Sequence, residues 1–339
     1  MLDVLLAETA TRWPDWFRGE DAGEITPLLL AGGPAHRDRV SVMYFPEGAR
    51  VPRAIMKIGL SPLEGGFLAS EYDAMDRLRP LLPADLQERM PRALDLIRFG
   101  GATVLASEAV PGRRLLISRL TGDVTRRARA VMEGFFAGSF EFTRGVADAT
   151  AEETPLGPEP LVEITEDFAR RFGDLAPGLD ERARSLGRMI AAEGIRWHPS
   201  WQHQDVAVGN VLDDRGRLLF VDWEHAGPGC PPWFDVAFAP VATSHLAARM
   251  DGLHSLEEAA LGSLGEETAV GSILKQRMGE VWDYPIPMSW AVTLTAMVGA
   301  LRKVDEKRTG TAEWAELVAL LLGDDDDVNR RLGWLCPLL

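Results

Sequence analysis

The spacing of apolar and polar positions changes character once along this chain. Up to about residue 108 the chain is strand-rich, and beyond about residue 113 helical patterns dominate until the segment around Asp205. Residues 25–31, 40–45 and 52–58 read as three strands, the first despite Pro27, with a turn-rich break at 32–38. Residues 67–78 repeat apolar positions at helical intervals. Residues 94–99 and 103–107 flank Gly100-Gly101, a strong hairpin signal. After Pro111-Gly112 come helical segments at 124–147 and 162–193, separated by a Pro-rich loop at 154–160. Residues 241–339 are mostly helical, with a break at 284–287. The apolar run near 288–301 is too short to span a bilayer and reads as a buried helix.

This pattern predicts an α+β chain with a small antiparallel β-rich lobe at 1–111 and a larger, mainly helical lobe at 112–339. The hinge is expected at about 106–113. No internal repeat is visible. The first six residues carry an aspartate and no basic lead, unlike a secretory leader. The acidic run Asp324–Asp327 reads as a solvated loop before a final helix, where negative charge favours the helix start.

Two short segments carry the chemistry. His203-Gln204-Asp205 begins an H-x-D-x-x-x-x-N string that ends at Asn210. Val211-Leu212, a turn at 213–216 and the apolar return at 218–221 then form a hairpin pattern leading into Asp222. A hairpin returns its ends to one place, so Asn210 and Asp222 should lie close together, with Asp205 facing the same cavity. An H-x-D string arises often by chance, and an Asp at a strand end commonly caps or turns the chain. Loop, hairpin and terminal Asp together are more specific. They supply a base for a hydroxyl and two hard oxygen ligands for Mg²⁺, the parts that phosphoryl transfer from ATP requires. Upstream, Lys57 lies inside an apolar strand, where an unpaired ammonium would be costly. Glu71, on the following helix, is its expected partner. The pair would aim the ammonium at the α- and β-phosphates.

These residues resemble the aminoglycoside phosphotransferase/choline kinase group of small-molecule kinases, which share the two-lobed fold of protein kinases. The resemblance spans about residues 25–240. It implies that Asp205 orients and deprotonates the acceptor hydroxyl, with His203 supporting the loop. It also implies that Asn210 and Asp222 hold magnesium, that Lys57 meets the ATP phosphates with Glu71 fixing it, and that the backbone of Ser107 and Ala109 holds adenine. Asp235 resembles the aspartate that braces the catalytic loop in this group. The run 222–226 followed by Gly229 and Asp235 is the most family-specific piece. The chain departs from the pattern in three places. Gln204 stands where Gly or Arg is usual, and Trp223-Glu224 follows the metal Asp. The phosphate loop has no G-x-G-x-x-G, leaving Gly32 and Gly33 as its candidates for phosphate contact.

Composition narrows the partner. A net charge of −15 argues against nucleic acid and would suit a cationic acceptor such as an amino alcohol or amino sugar. Cys230 and Cys336 are the only cysteines. They give no disulfide framework and fit a reducing cytoplasm. Residues 225–240 contain no long segment ending in A-P-E, which disfavours a protein substrate. The expected activity is therefore MgATP-dependent phosphorylation of a small-molecule hydroxyl. A catalytically silent nucleotide-binding or scaffold protein of the same fold is the alternative, and a protein kinase a weaker one.

Overall fold

The computed structural model describes residues 2–31, 38–115, 117, 120–122, 124–253, 255–305 and 311–336. Its elements begin with α1 (Leu2–Trp16), β1 (Thr26–Ala31), β2 (Arg39–Phe45), β3 (Ala54–Gly59), α2 (Pro62–Leu78), α3 (Ala84–Gln87), β4 (Ala93–Phe99) and β5 (Ala102–Glu108). A two-residue strand β6 (Arg113–Arg114) leads to α4 (Arg126–Thr150), α5 (Glu159–Phe172), α6 (Leu179–Glu193) and β7 (Ser200–Gln202). Next come β8 (Val211–Asp214), β9 (Arg217–Phe220), β10 (Gly227–Cys230), α7 (Phe234–Asp251), α8 (Leu256–Leu264) and α9 (Ala269–Val281). The described chain closes with α10 (Met288–Asp305), α11 (Thr311–Leu321) and α12 (Asp326–Leu332). The chain divides into two compact units, Met1–Arg113 with Leu212–Ala226, and Arg114–Val211 with Gly227–Leu339.

The first unit is built on an antiparallel sheet of order β1-β2-β3-β5-β4. Its strands alternate with period two, so each face has its own cover. Val42, Tyr44, Met56, Ile58, Val104 and Ala106 form one core with Leu5, Trp13, Trp16 and Phe17 of α1 and the residues just after it. Helix α1 was not expected from the sequence. Its apolar residues find their stripe only against the sheet. The opposite face packs against α2. That helix starts five residues earlier than its apolar spacing indicates. Ser61 accepts the Glu64 N–H as its cap, and Pro62 occupies the first turn. Gly65 permits the close approach, since a Cβ there would lie 2.6 Å from Thr103 Oγ1. The Gly100-Gly101 turn has φ of 55° and 86°, the two left-handed positions that a tight hairpin needs.

The segment Leu212–Ala226 belongs to this first unit, although the sequence placed it in the later lobe. Phe220 donates its N–H to the Arg89 carbonyl at 2.8 Å, and Arg89 Nε donates to the Leu218 carbonyl at 3.1 Å. These hydrogen bonds join residues about 130 apart in sequence, a separation that local pattern does not reveal.

The second unit is mainly helical. Phe135, Phe136, Phe140 and Phe142 of α4 are buried. Helix α5 begins at Glu159, inside the expected loop, because Pro160 is tolerated in a first helical turn. The 162–193 pattern is two helices, interrupted by a 3₁₀ turn at Gly173–Leu175 and by Gly178 at φ 69°. The tryptophans act mainly as packing groups here: Trp197, Trp201 and Trp233 are buried, and Trp233 meets Trp197 and Tyr284 edge to face. Asp325 caps α12, accepting the Asp327 and Val328 N–H groups. No helix among the described residues is long and apolar enough to cross a membrane.

Candidate active site

In the first unit, strand register sets the site. Ser41 pairs with Lys57 across β2 and β3, so Arg39, two residues from Ser41, shares the face of Lys57. Lys57 Nζ lies 2.7 Å from both Glu71 carboxylate oxygens and 2.9 Å from Asp222 Oδ1. Burial opposes the ammonium charge, but Asp222 and Glu71 outweigh it and hold its pKa above the ordinary lysine value. Glu71 also accepts the Trp223 N–H at 3.4 Å. Asp222 has φ of 67°, a conformation rare for a residue with a side chain. Beside this group, Arg39 donates from Nε to Glu64 and from Nη2 to Glu224, each at 2.6 Å. Its Nη1 lies 3.9 Å from Asp222 Oδ1. The three side chains Arg39, Glu64 and Glu224 are 10% exposed or less, so a full charge network is buried against one sheet face.

In the second unit, β7 delivers the chain into a tightly held loop. His203 is 1% exposed. Asp235, in the first turn of α7, accepts the His203 and Gln204 backbone N–H groups with its two carboxylate oxygens, each at 2.7 Å. Gln202 Oε1 accepts the Asp235 N–H in return. Burial pushes the Asp235 carboxyl up to about 7, against the lowering pull of its two backbone donors. Gln204 has φ of 62°, and Arg302 Nη2 donates to its carbonyl at 3.2 Å. Asn210 Nδ2 donates to Asp205 twice, to the backbone carbonyl at 3.0 Å and to Oδ2 at 2.9 Å. The amide nitrogen must face that carboxylate, so the amide oxygen is directed away from it. That leaves Asn210 with a hard oxygen donor suited to magnesium.

A model described as the phosphotransferase enzyme family (APH) matches residues 41–266. The chain belongs to that family. Among solved structures, aminoglycoside phosphotransferase APH(4)-Ia is similar at TM-score 0.58 and 16% identity, covering 94% of this chain and 98% of its own. A thermostable mutant of APH(4)-Ia, in ternary complex with ADP and hygromycin B, is similar at TM-score 0.57 and 16% identity, covering 93% and 97%. At that identity the likeness establishes the fold. It is the kinase-like fold of aminoglycoside phosphotransferases, with an antiparallel sheet in the amino-terminal region and a mostly helical remainder. None of the curated proteins matches the chain in sequence.

Against the phosphotransferase pattern, the expected residues fall into two groups. Lys57, Glu71 and Asp222 meet in the first unit, and His203, Asp205 and Asn210 share the loop of the second. Gly33, with Gly32, lies outside the described residues. Ser107 sits within β5, opposite Ile55 of β3. Ala109 follows the strand, and its N–H donates to the Arg53 carbonyl at 3.0 Å, so that donor is already engaged within the protein. The sequence reading missed Arg39 and Glu64, and left Glu224 without a partner. The available signal was an arginine heading an apolar strand. Reading it requires the β2–β3 register, which places Arg39 on the lysine face.

Proposed function

We propose that this protein is an MgATP-dependent phosphotransferase that moves the γ-phosphate to a hydroxyl of a small molecule. The observation that carries this reading is Lys57 held between Glu71 and Asp222, with Asp222 in a left-handed backbone conformation. A half-buried ammonium fixed by one carboxylate and shared with a second is arranged to meet phosphates. The braced loop of Asp205 and Asn210 adds to it, as do membership of the phosphotransferase family and the ADP and hygromycin B bound by a protein of the same fold.

In this reading Lys57 binds the nucleotide phosphates and Glu71 keeps its ammonium on station. Asn210, through its amide oxygen, and Asp222, through its carboxylate, are the residues that would hold magnesium. When bound, the ion neutralises charge on the phosphates. Asp205 orients the acceptor hydroxyl and takes its proton as the oxygen attacks the γ-phosphorus. The bond from that phosphorus to the β–γ bridging oxygen breaks, and ADP leaves. The Asn210 amide fixes the Asp205 carboxylate, and Asp235 fixes the loop that carries both. The backbone of Ser107 and Ala109 and the 32–33 glycines are assigned to the nucleotide.

Asp205→Ala is the direct test. Turnover should fall about a hundredfold or more, the usual contribution of a general base, while MgATP affinity measured by calorimetry stays near wild type. Unchanged turnover would remove Asp205 from the chemistry. Absence of ADP release across a broad panel of alcohols, with MgATP still bound, would favour a silent nucleotide-binding protein.

A further inference from the structure

The overall acidity of the chain points to a cationic acceptor, but the second unit contains a cavity of a different character. Its volume is about 180 Å³. Leu161 and Ile164 of α5, Leu294 and Val298 of α10, and Trp233 and Phe234 at the start of α7 contribute its apolar lining. Gln204 and Thr295 are its polar side chains, and among the described residues that line it none is charged. Cys230 also borders it. Burial pushes that thiol up to about 12, so it too is neutral at physiological pH. The Gln204 amide is engaged, donating to Cys230 Sγ at 3.1 Å.

Position gives the cavity its meaning. Gln204 lines it, and the next residue is Asp205, one peptide step of about 3.8 Å along the chain. The loop is fixed there by Asp235 and Arg302. An ammonium entering this space would lose its hydration with no carboxylate among the lining side chains to replace it. An aromatic ring or branched alkyl group would gain by leaving water. The size suits such a group, since apolar protein cavities of about 150 Å³ hold a benzene ring. Net charge acts over the whole surface and bears on solubility and steering. The lining decides what is bound.

Resting on the kinase reading above, we propose that this cavity receives the uncharged, apolar arm of the hydroxyl acceptor. The preferred substrates are then neutral alcohols bearing an aromatic or short branched alkyl group, and amino sugars and quaternary ammonium alcohols are poor ones.

The experiment uses the full-length protein with MgATP and compares ADP release with 3-phenyl-1-propanol, choline and hygromycin B. The expected kcat/KM is higher for the phenyl alcohol by about tenfold or more, the scale at which apolar pockets discriminate. Ile164→Trp, at a half-buried position on α5, should raise the KM for the phenyl alcohol about tenfold and leave the KM for ATP unmoved. Val298→Phe serves if that variant does not fold. Equal or better use of choline or hygromycin B would overturn the proposal, as would an unmoved KM in a folded filling variant. If no alcohol drives ADP release, the kinase reading fails and the cavity is judged separately by saturation-transfer NMR. A 3-phenyl-1-propanol signal that is present in wild type and lost in the filling variant would uphold the cavity as a site for an apolar arm. No signal in wild type would overturn it.

Discussion

Arg39 shows how much a single side chain can hold in place. Its guanidinium pairs with both Glu64 and Glu224 in a space where none of the three is appreciably exposed, and it approaches Asp222 as well. Forming such a network from hydrated ions gains little, but breaking it from one side strands the remaining charges. Arg39→Met should therefore lower unfolding stability by about 3–5 kcal/mol in urea denaturation. The triple variant with Glu64→Gln and Glu224→Gln should recover a large part of that loss, because neutral amides tolerate burial far better than unpaired carboxylates. A single variant of wild-type stability would show that the charges are hydrated. Lys57 was legible in the sequence because a lysine inside an apolar strand demands a partner. Arg39 was not, since an arginine at a strand end can equally stand in solvent.

The loop between β7 and β8 depends on one carboxylate at the start of α7. Two backbone donors converge on Asp235, and the left-handed Gln204 would have little reason to keep its conformation without them. The carboxyl is raised to about 7, whereas an unfolded aspartate ionises near 4. Between those values the folded chain holds the proton and the unfolded chain has released it. This group therefore favours folding progressively more as pH falls from about 7 towards 4. Asp235→Asn should flatten that part of the stability-versus-pH curve, as read by urea midpoints at each half pH unit. Catalysis should run the other way, because a protonated Asp235 is a weaker brace. Wild-type turnover is expected to fall below about pH 7, and that limb should disappear in Asp235→Asn, which is slow throughout. A limb unchanged in the variant would assign the titration to another group.

At the scale of the whole molecule, the prediction concerns ligand linkage. A nucleotide that binds only the folded chain should add about 2.7 kcal/mol of stability at a hundred times its dissociation constant. Thermal unfolding should therefore shift upward with ATP, and further with ATP and magnesium together. Asp222→Ala should abolish the magnesium increment and leave a smaller shift from nucleotide alone. A magnesium increment of wild-type size in that variant would remove Asp222 from metal binding. The acidity of the chain is also a whole-molecule property, and a sum of charges says nothing about which side chains line a cavity.

The sequence by itself determined most of the elements and most of the chemical inventory. Short apolar runs and helical spacing marked the sheet strands and most helices, Gly100-Gly101 marked its hairpin, and Lys57, Glu71, Asp205, Asn210 and Asp222 stood out by residue type and order. Only the tertiary structure decided which of these residues touch one another within each unit. The return of Leu212–Ala226 to the first unit, the pairing of Glu224 with Arg39, and the neutral lining beside Gln204 all join residues far apart in the chain. Local propensity acts over a few residues. Register and packing bring together groups more than a hundred positions apart, and the burial that results sets the cost of every charge they carry.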